Sequence, residues 1–318
     1  MNYTNVIERS NAYKNIKKDY SCGRFSHAFL FVSDDKDYSL AFAKKVSMLI
    51  MENPALEKRI QDETFPDVIY LGKQSKITSS DASFMVSDVF VKGYESDKKI
   101  YILIDCDEMN DESQNKILKT LEEPPANVYI LMLSRNTSSL LPTILSRVNT
   151  VELDRISSSD IERMLIDAGV DDKKAAEVAP CSGNNTMLAL KLAEDKSFNN
   201  LYVKTIEMFE KMNSSKDILY FANFFSDKSI DKKEWVNLIT LFARDLLMIK
   251  SNKNELVLNK SVLERMENCA NNFSVLALTK IIETCLHCQE GLLYNVNSSC
   301  IVDELLLKFV EAKVTCKR

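Results

Sequence analysis

Glycine and proline are scarce here, with six of each among 318 residues. Tight turns draw on both residue types, so a turn-rich β architecture is disfavoured and the many Leu, Ile, Lys, Glu and Asp residues favour helices. No apolar run reaches the roughly 18 residues of a transmembrane helix, so no membrane association is expected. Met1 to Tyr20 is polar and charged without an apolar stretch, so the expected location is the cytoplasm rather than outside the cell. The eight cysteines are scattered along the chain, which in a cytosolic protein points to reduced thiols rather than a disulfide framework. There is no basic excess either: the net charge is −5, so any contact with DNA has to be local or shared with partner chains. His27 and His287 are the only histidines, which argues against a histidine-dependent catalytic triad. At the start of an apolar run, His27 is expected to be a hydrogen-bonded structural residue.

What is present suggests two or three domains, each able to bury a core. Apolar runs at His27–Val32, Asp67–Leu71, Lys99–Asp105 and Val128–Leu133 predict strands, with a last short one at Val151–Leu153. Their continuous apolar character suits strands covered on both faces. Helical spacing fills the gaps: Tyr38–Glu52, a helix capped by Ser79-Ser80-Asp81 and running to about Lys92 before Gly93, and Asp111–Glu123 before Pro124-Pro125. This alternation predicts a parallel α/β sheet over residues 1–154. Residues 155–198 predict a small helical unit, with helices at Ser157–Ala168, Lys173–Ala179 and Thr186–Glu194. Residues 199–318 predict helices throughout.

Two motifs are specific. Asn115, then Leu118-Lys119-Thr120-Leu121-Glu122-Glu123-Pro124-Pro125, resembles the Asn-x-x-Leu-Lys-x-Leu-Glu-Glu-Pro-Pro signature of bacterial clamp-loader subunits. Leu140-Leu141-Pro142-Thr143-Ile144-Leu145-Ser146-Arg147 resembles that family's Leu-Leu-Pro-Thr-Ile-x-Ser-Arg-Cys, with Val148 in place of Cys. One predicted strand lies between them, as in the family. His27–Phe31 is similar to the opening strand of the delta-prime type. Asn295-Val296-Asn297 with Leu305-Leu306-Leu307 resembles the last collar helix. The resemblance is strong over residues 99–150 and weak after 200. It implies an AAA+-like sheet domain, a helical lid and an all-α collar domain.

An active member of that family needs a G-x-x-x-x-G-K-[ST] loop after its first strand. There, glycines admit phosphates to backbone N–H groups and the lysine neutralises them. Ser33-Asp34-Asp35-Lys36-Asp37-Tyr38-Ser39 stands here instead, with no glycine between Gly23 and Gly72. Three aspartates repel a triphosphate, and Lys36 is expected to be a solvated surface lysine. Asp105 ends the central strand where a Walker-B acid would hold magnesium, but Cys106 replaces the acid expected next, and Asp105 lies one residue too close to Met109. Asp107 and Glu108 are expected in a turn, facing solvent. No Arg or Lys lies between Gly183 and Lys191, where nucleotide-binding members place a lid arginine. Ser33, Asp34, Lys36, Ser39, Asp105 and Cys106 therefore form a degenerate nucleotide site, with no hydrolysis and weak or no nucleotide binding expected.

Arg147, after Ser146, occupies the family's arginine-finger position, and a guanidinium can stabilise a γ-phosphate across a subunit boundary. The resemblance thus implies a non-ATPase subunit of the DNA polymerase III clamp loader. It would act with motor (tau/gamma) and delta subunits, a sliding clamp and, through the complex, primer-template DNA. No cofactor and no metal are expected. Cys285-Leu286-His287-Cys288 supplies too few ligands for structural zinc and predicts a buried helix face. Residues 52–66, where many delta-prime proteins carry zinc-binding cysteines, contain none. Lys17, Lys18 and Arg24 form a modest basic group, expected to be a solvated face. Competing readings are an ATP-binding motor subunit, disfavoured by the missing phosphate loop, and a decayed AAA+ scaffold with another partner.

Overall fold

A computed structural model describes residues 2–73, 75–227, 230–293 and 298–316. Two compact units emerge: residues 1–160 with 185–187, and residues 161–184 with 188–318.

The first unit is built on five parallel strands, β1 (Ala28–Val32), β2 (Val68–Leu71), β3 (Lys99–Leu103), β4 (Val128–Ser134) and β5 (Asn149–Glu152), in the order β2-β3-β4-β1-β5. All five residues of β3 are buried, as befits a strand between two layers of helices. One face packs Ala28, Leu30, Tyr101, Leu103, Ile130 and Met132 against helices that cover it, α5 (Ser79–Asp88) and α6 (Asp111–Glu122). On the other face Phe31 meets Phe42 edge-on, the centroids 5.0 Å apart, on helix α3 (Lys36–Met51). Burying one such aromatic side chain contributes about 1.5–3 kcal/mol.

Three helices depart from the sequence expectation: α1 (Thr4–Arg9), α2 (Asn11–Ser21) and α4 (Glu57–Gln61). Their apolar stripes are narrow. Ile7, then Ala12, Tyr13 and Ile16, are the buried positions of the first two, and Ile60 that of the third. In such polar segments tertiary packing, not composition, decides the helix. The cap of α5 is Thr78 rather than the Ser79-Ser80-Asp81 triplet. Its hydroxyl accepts from Asp81 N while the Asp81 carboxylate accepts from Thr78 N, a reciprocal box. That helix stops at Asp88 rather than near Lys92. Strand β3 stops at Leu103, short of Asp105, and β5 begins two residues before Val151.

A short helix α7 (Pro142–Leu145) precedes β5. The second unit is helical: α8 (Ser158–Asp167) gives way to it, followed by α9 (Asp172–Val178), α10 (Thr186–Glu194), α11 (Lys196–Lys211), α12 (Ser215–Phe225), α13 (Lys232–Lys250), α14 (Leu263–Ala270), α15 (Val275–Leu293) and α16 (Ser298–Thr315). Its core is aromatic. Trp235 stacks on Phe225 at 4.1 Å, and Phe209 meets Phe242, Phe273 and Phe309. Buried Lys313 donates to the carbonyls of Phe209 and Met212. Leu305 and Leu306 are buried, whereas Leu307 is exposed; Asn295-Val296-Asn297 lie outside the described residues. Among the described residues no helix is long and apolar enough to cross a membrane. The fold class matches the expectation, a helix-flanked parallel sheet followed by a helical region.

Candidate functional site

The loop after β1 leads straight into α3, whose first N–H groups have no partner within the helix. In an ATP-binding relative a phosphate would meet such groups. Here Asp35 does so. Its Oδ1 accepts from Tyr38 N at 3.0 Å, and its Oδ2 accepts from both the N–H and the hydroxyl of Thr186 at 2.7 Å. Asp35 is buried, and Tyr3 closes the group with its hydroxyl 2.6 Å from Thr186 Oγ1. Burial raises the Tyr3 phenol well above its ordinary pKa. The sequence shows Asp35 as one of three repelling charges; folded, it is a hydrogen-bonded anchor. Ser33 Oγ accepts from Asp35 N at 3.2 Å, and Ser39 Oγ donates to the Lys36 carbonyl at 2.8 Å. Asp34 stays exposed. Asp37 is pushed up from the usual carboxylate range by partial burial and then by the neighbouring Asp35 charge.

Lys36 lies exposed on the surface, as expected, and has a partner there. Its Nζ pairs with the Asp105 carboxylate, two of the degenerate-site residues thus neutralising each other. Asp105 sits beyond β3 in the left-handed region, at φ 54°. Cys106 is buried in the sheet core, its thiol donating to the Leu103 carbonyl at 3.3 Å, and burial pushes its pKa far up. A thiol held so is neither metal ligand nor base. The expectation that the turn acids face solvent fails at Asp107, whose side chain is only 4% exposed and meets Arg135 Nε at 3.0 Å. Glu108 takes Arg135 NH2 at 2.8 Å. A short 3-10 turn over Cys106–Glu108 folds these acids back onto the end of β4.

The second motif is held by Gln114. This fully buried side chain of α6 donates to the Met109 and Ser139 carbonyls at 3.1 and 3.0 Å and accepts from Leu141 N at 2.8 Å. It ties the loop before α7 to the helix that carries the Leu-Glu-Glu-Pro-Pro run. Val148 is buried in the sheet core, so the residue that replaces the family's cysteine fills an apolar slot. Arg147 leaves the end of α7 and turns back. Its Nε donates to Glu122 Oε1 at 2.7 Å, and NH2 pairs with the same oxygen. NH1 donates to the Thr143 carbonyl at 2.8 Å and to Ser146 Oγ at 3.0 Å. Ser146 and Arg147 are therefore brought together, and Glu122 with them. Sequence reasoning missed Gln114, Glu122, Arg135 and the inward role of Asp35; the two motifs containing Glu122 and Arg147 were the available signal for that pair.

Family models for DNA polymerase III, delta subunit, match residues 8–157, and for DNA polymerase III, delta subunit, C terminal, residues 196–311. The chain is 27% identical to the DNA polymerase III subunit delta' of Bacillus subtilis, over 94% of each chain. The chain belongs to the delta-prime family of clamp-loader subunits of DNA polymerase III. It is also 18% identical to the subunit delta' of Buchnera aphidicola, over 89% of this chain and 90% of that one. Against the subunit tau/gamma of Haemophilus influenzae it is 23% identical, over 69% of this chain and 35% of that longer protein.

Other candidates in this delta-prime family member carry less. Lys17, Lys18 and Arg24 are exposed, and Arg24 lies 3.8 Å from Asp19. His27 Nε2 donates to the Leu121 carbonyl at 2.9 Å, fastening β1 to α6. Cys285 and Cys288 are buried within α15, where burial pushes their thiols up to about 12 and about 11.

Proposed function

We propose that this chain is a clamp-loader subunit without ATPase activity of its own, which donates Arg147 to the ATP site of a neighbouring motor subunit. The observation that carries the reading is the state of the phosphate-loop position. There the Asp35 carboxylate already holds Tyr38 N and Thr186, and Lys36 is neutralised by Asp105. A triphosphate entering would have to displace a buried carboxylate and face its charge. With no glycine to let it approach, the site offers neither room nor attraction. Arg147 then stands at the arginine-finger position with a guanidinium to offer a phosphate, and it needs no nucleotide in its own subunit.

The partners in this reading are motor (tau/gamma) and delta subunits, a sliding clamp, and primed DNA reached through the complex. A sheet domain at 1–154, a lid at 155–198 and a collar domain at 199–318 are the proposed division of labour. The test is ATP turnover of the reconstituted loader with wild-type or Arg147→Ala chains, and of the isolated chain. A silent isolated chain and a slowed mutant loader that still assembles support the reading. Turnover by the isolated chain, or an unaffected mutant loader, overturns it.

A further inference from the structure

Arg147 has five N–H donors, and four of them are committed inside its own chain. Nε and NH2 go to Glu122 Oε1, and both NH1 hydrogens go to Thr143 O and Ser146 Oγ. A guanidinium so engaged has one donor left, on NH2. The two-pronged grip that suits a phosphate is the edge that Glu122 now holds.

From this geometry we infer that Glu122 is a positioning residue that parks Arg147, and that a neighbouring subunit's γ-phosphate takes the arginine by displacing Glu122. The inference rests on the proposed donation of Arg147 in trans. Three features favour exchange over a fixed structural pair. Glu122 is the last residue of α6, with its side chain 46% exposed, so it can be released into water without leaving a buried charge. The Arg147 side chain is itself 31% exposed, within reach of an incoming group. The contacts to Thr143 and Ser146 lie on the other side of the guanidinium and can persist through the exchange, so the finger keeps its root while its tip changes partner.

Parking has a measurable consequence. A competent state that is only partly populated weakens the apparent affinity for whatever stabilises it. Glu122 should therefore raise the ATP concentration needed for half-maximal turnover of the loader, without limiting the rate once ATP saturates. An exposed ion pair of this kind shifts such an equilibrium by roughly two- to five-fold.

The experiment uses the loader reconstituted from this chain, its motor and delta subunits, the clamp and primed DNA. ATP titrations are run with wild-type, Glu122→Gln, Glu122→Ala, Arg147→Ala and Glu122→Gln/Arg147→Ala chains. Glu122→Gln is expected to lower the half-saturating ATP concentration about two- to five-fold with maximal turnover unchanged. Glu122→Ala, which cannot hydrogen-bond the guanidinium at all, should lower it at least as far. The double variant should behave as Arg147→Ala. An unchanged or raised half-saturating concentration in both Glu122 variants overturns the parking role. So does a gain that survives in the double variant, because Glu122 would then act without Arg147. If Arg147→Ala alone leaves maximal turnover untouched, the donation in trans fails; a slowed Arg147→Ala loader beside indifferent Glu122 variants removes only the parking.

Discussion

Glu122 and Arg147 are 25 positions apart in sequence, in two separate motifs, and share a two-donor ion pair through a single carboxylate oxygen. Each motif supplies one half of the contact. Both partners are substantially exposed, so the pair contributes little to folding.

Arg147→Lys should therefore leave the fold almost untouched. Urea unfolding is expected to show a loss of no more than about 1 kcal/mol, the upper range for exposed pairs. Loader turnover, in contrast, should fall nearly as far as with Arg147→Ala, because an ammonium keeps the charge and loses the planar fork. A lysine variant with full turnover would mean that charge alone suffices.

Gln114 ties the loop that leads into α7, the short helix just before Arg147, to α6. Gln114→Leu removes three hydrogen bonds and strands Leu141 N and two carbonyls. The expected loss is about 1–3 kcal/mol by urea unfolding, chiefly from leaving the buried Met109 carbonyl and the part-buried Leu141 N–H unpaired. Loader turnover should drop as well, since the loop into α7 is released. Unaltered stability would show that water replaces the amide.

Asp35→Ala should be more damaging than an ordinary cap loss. It uncaps α3 and frees both Thr186 contacts, for an expected loss of about 2–4 kcal/mol. No nucleotide binding should appear in its place, as the loop still lacks glycine. Titration of the variant with a non-hydrolysable ATP analogue checks this; saturable binding would mean that Asp35 alone had been excluding nucleotide.

Two capping carboxylates are among the acids that contribute to the acid limb of stability. The Thr78 hydroxyl and backbone N–H hold Asp81 below the usual carboxylate range, and Asn213 N with Ser214 holds Asp217 there. An acid whose folded pKa is depressed stabilises the fold above its unfolded value, about 3.9 for Asp, and loses that contribution as pH falls through the folded value. The urea midpoint should thus decline below about pH 4, and Asp81→Asn/Asp217→Asn should decline less steeply over that window. Parallel declines in the two proteins would remove these caps from the account.

The sheet was legible because β1, β3 and β4 are continuous apolar runs, and burial on both faces leaves no other arrangement for them. The helix over Asp111–Glu122 was legible from its helical spacing and from the prolines that stop it; its cap, Asn110, came only with the structure. Helices α1 and α2 were not, since a face of a few buried residues in a polar segment gives no periodic signal until something packs against it. The candidate site divides in the same way. Arg147 and the missing glycines lie in contiguous motifs and can be read directly. The Asp35–Thr186 contact spans 151 positions and the Lys36–Asp105 pair spans 69. No local pattern encodes such pairings, and electrostatics without coordinates turned Asp35 from an anchor into a mere repellent.

A bound nucleotide has an off-rate, a saturation curve and a chemical lifetime. The carboxylate at position 35 has none of these, because it is joined to the backbone it organises. In the proposed reading, whatever conformation it enforces around Thr186 is set when the chain folds and does not respond to the ratio of ATP to ADP in the cell. On the proposal that this chain binds no nucleotide, a motor subunit would report its energy state through the occupant of this position and this chain would give a constant output.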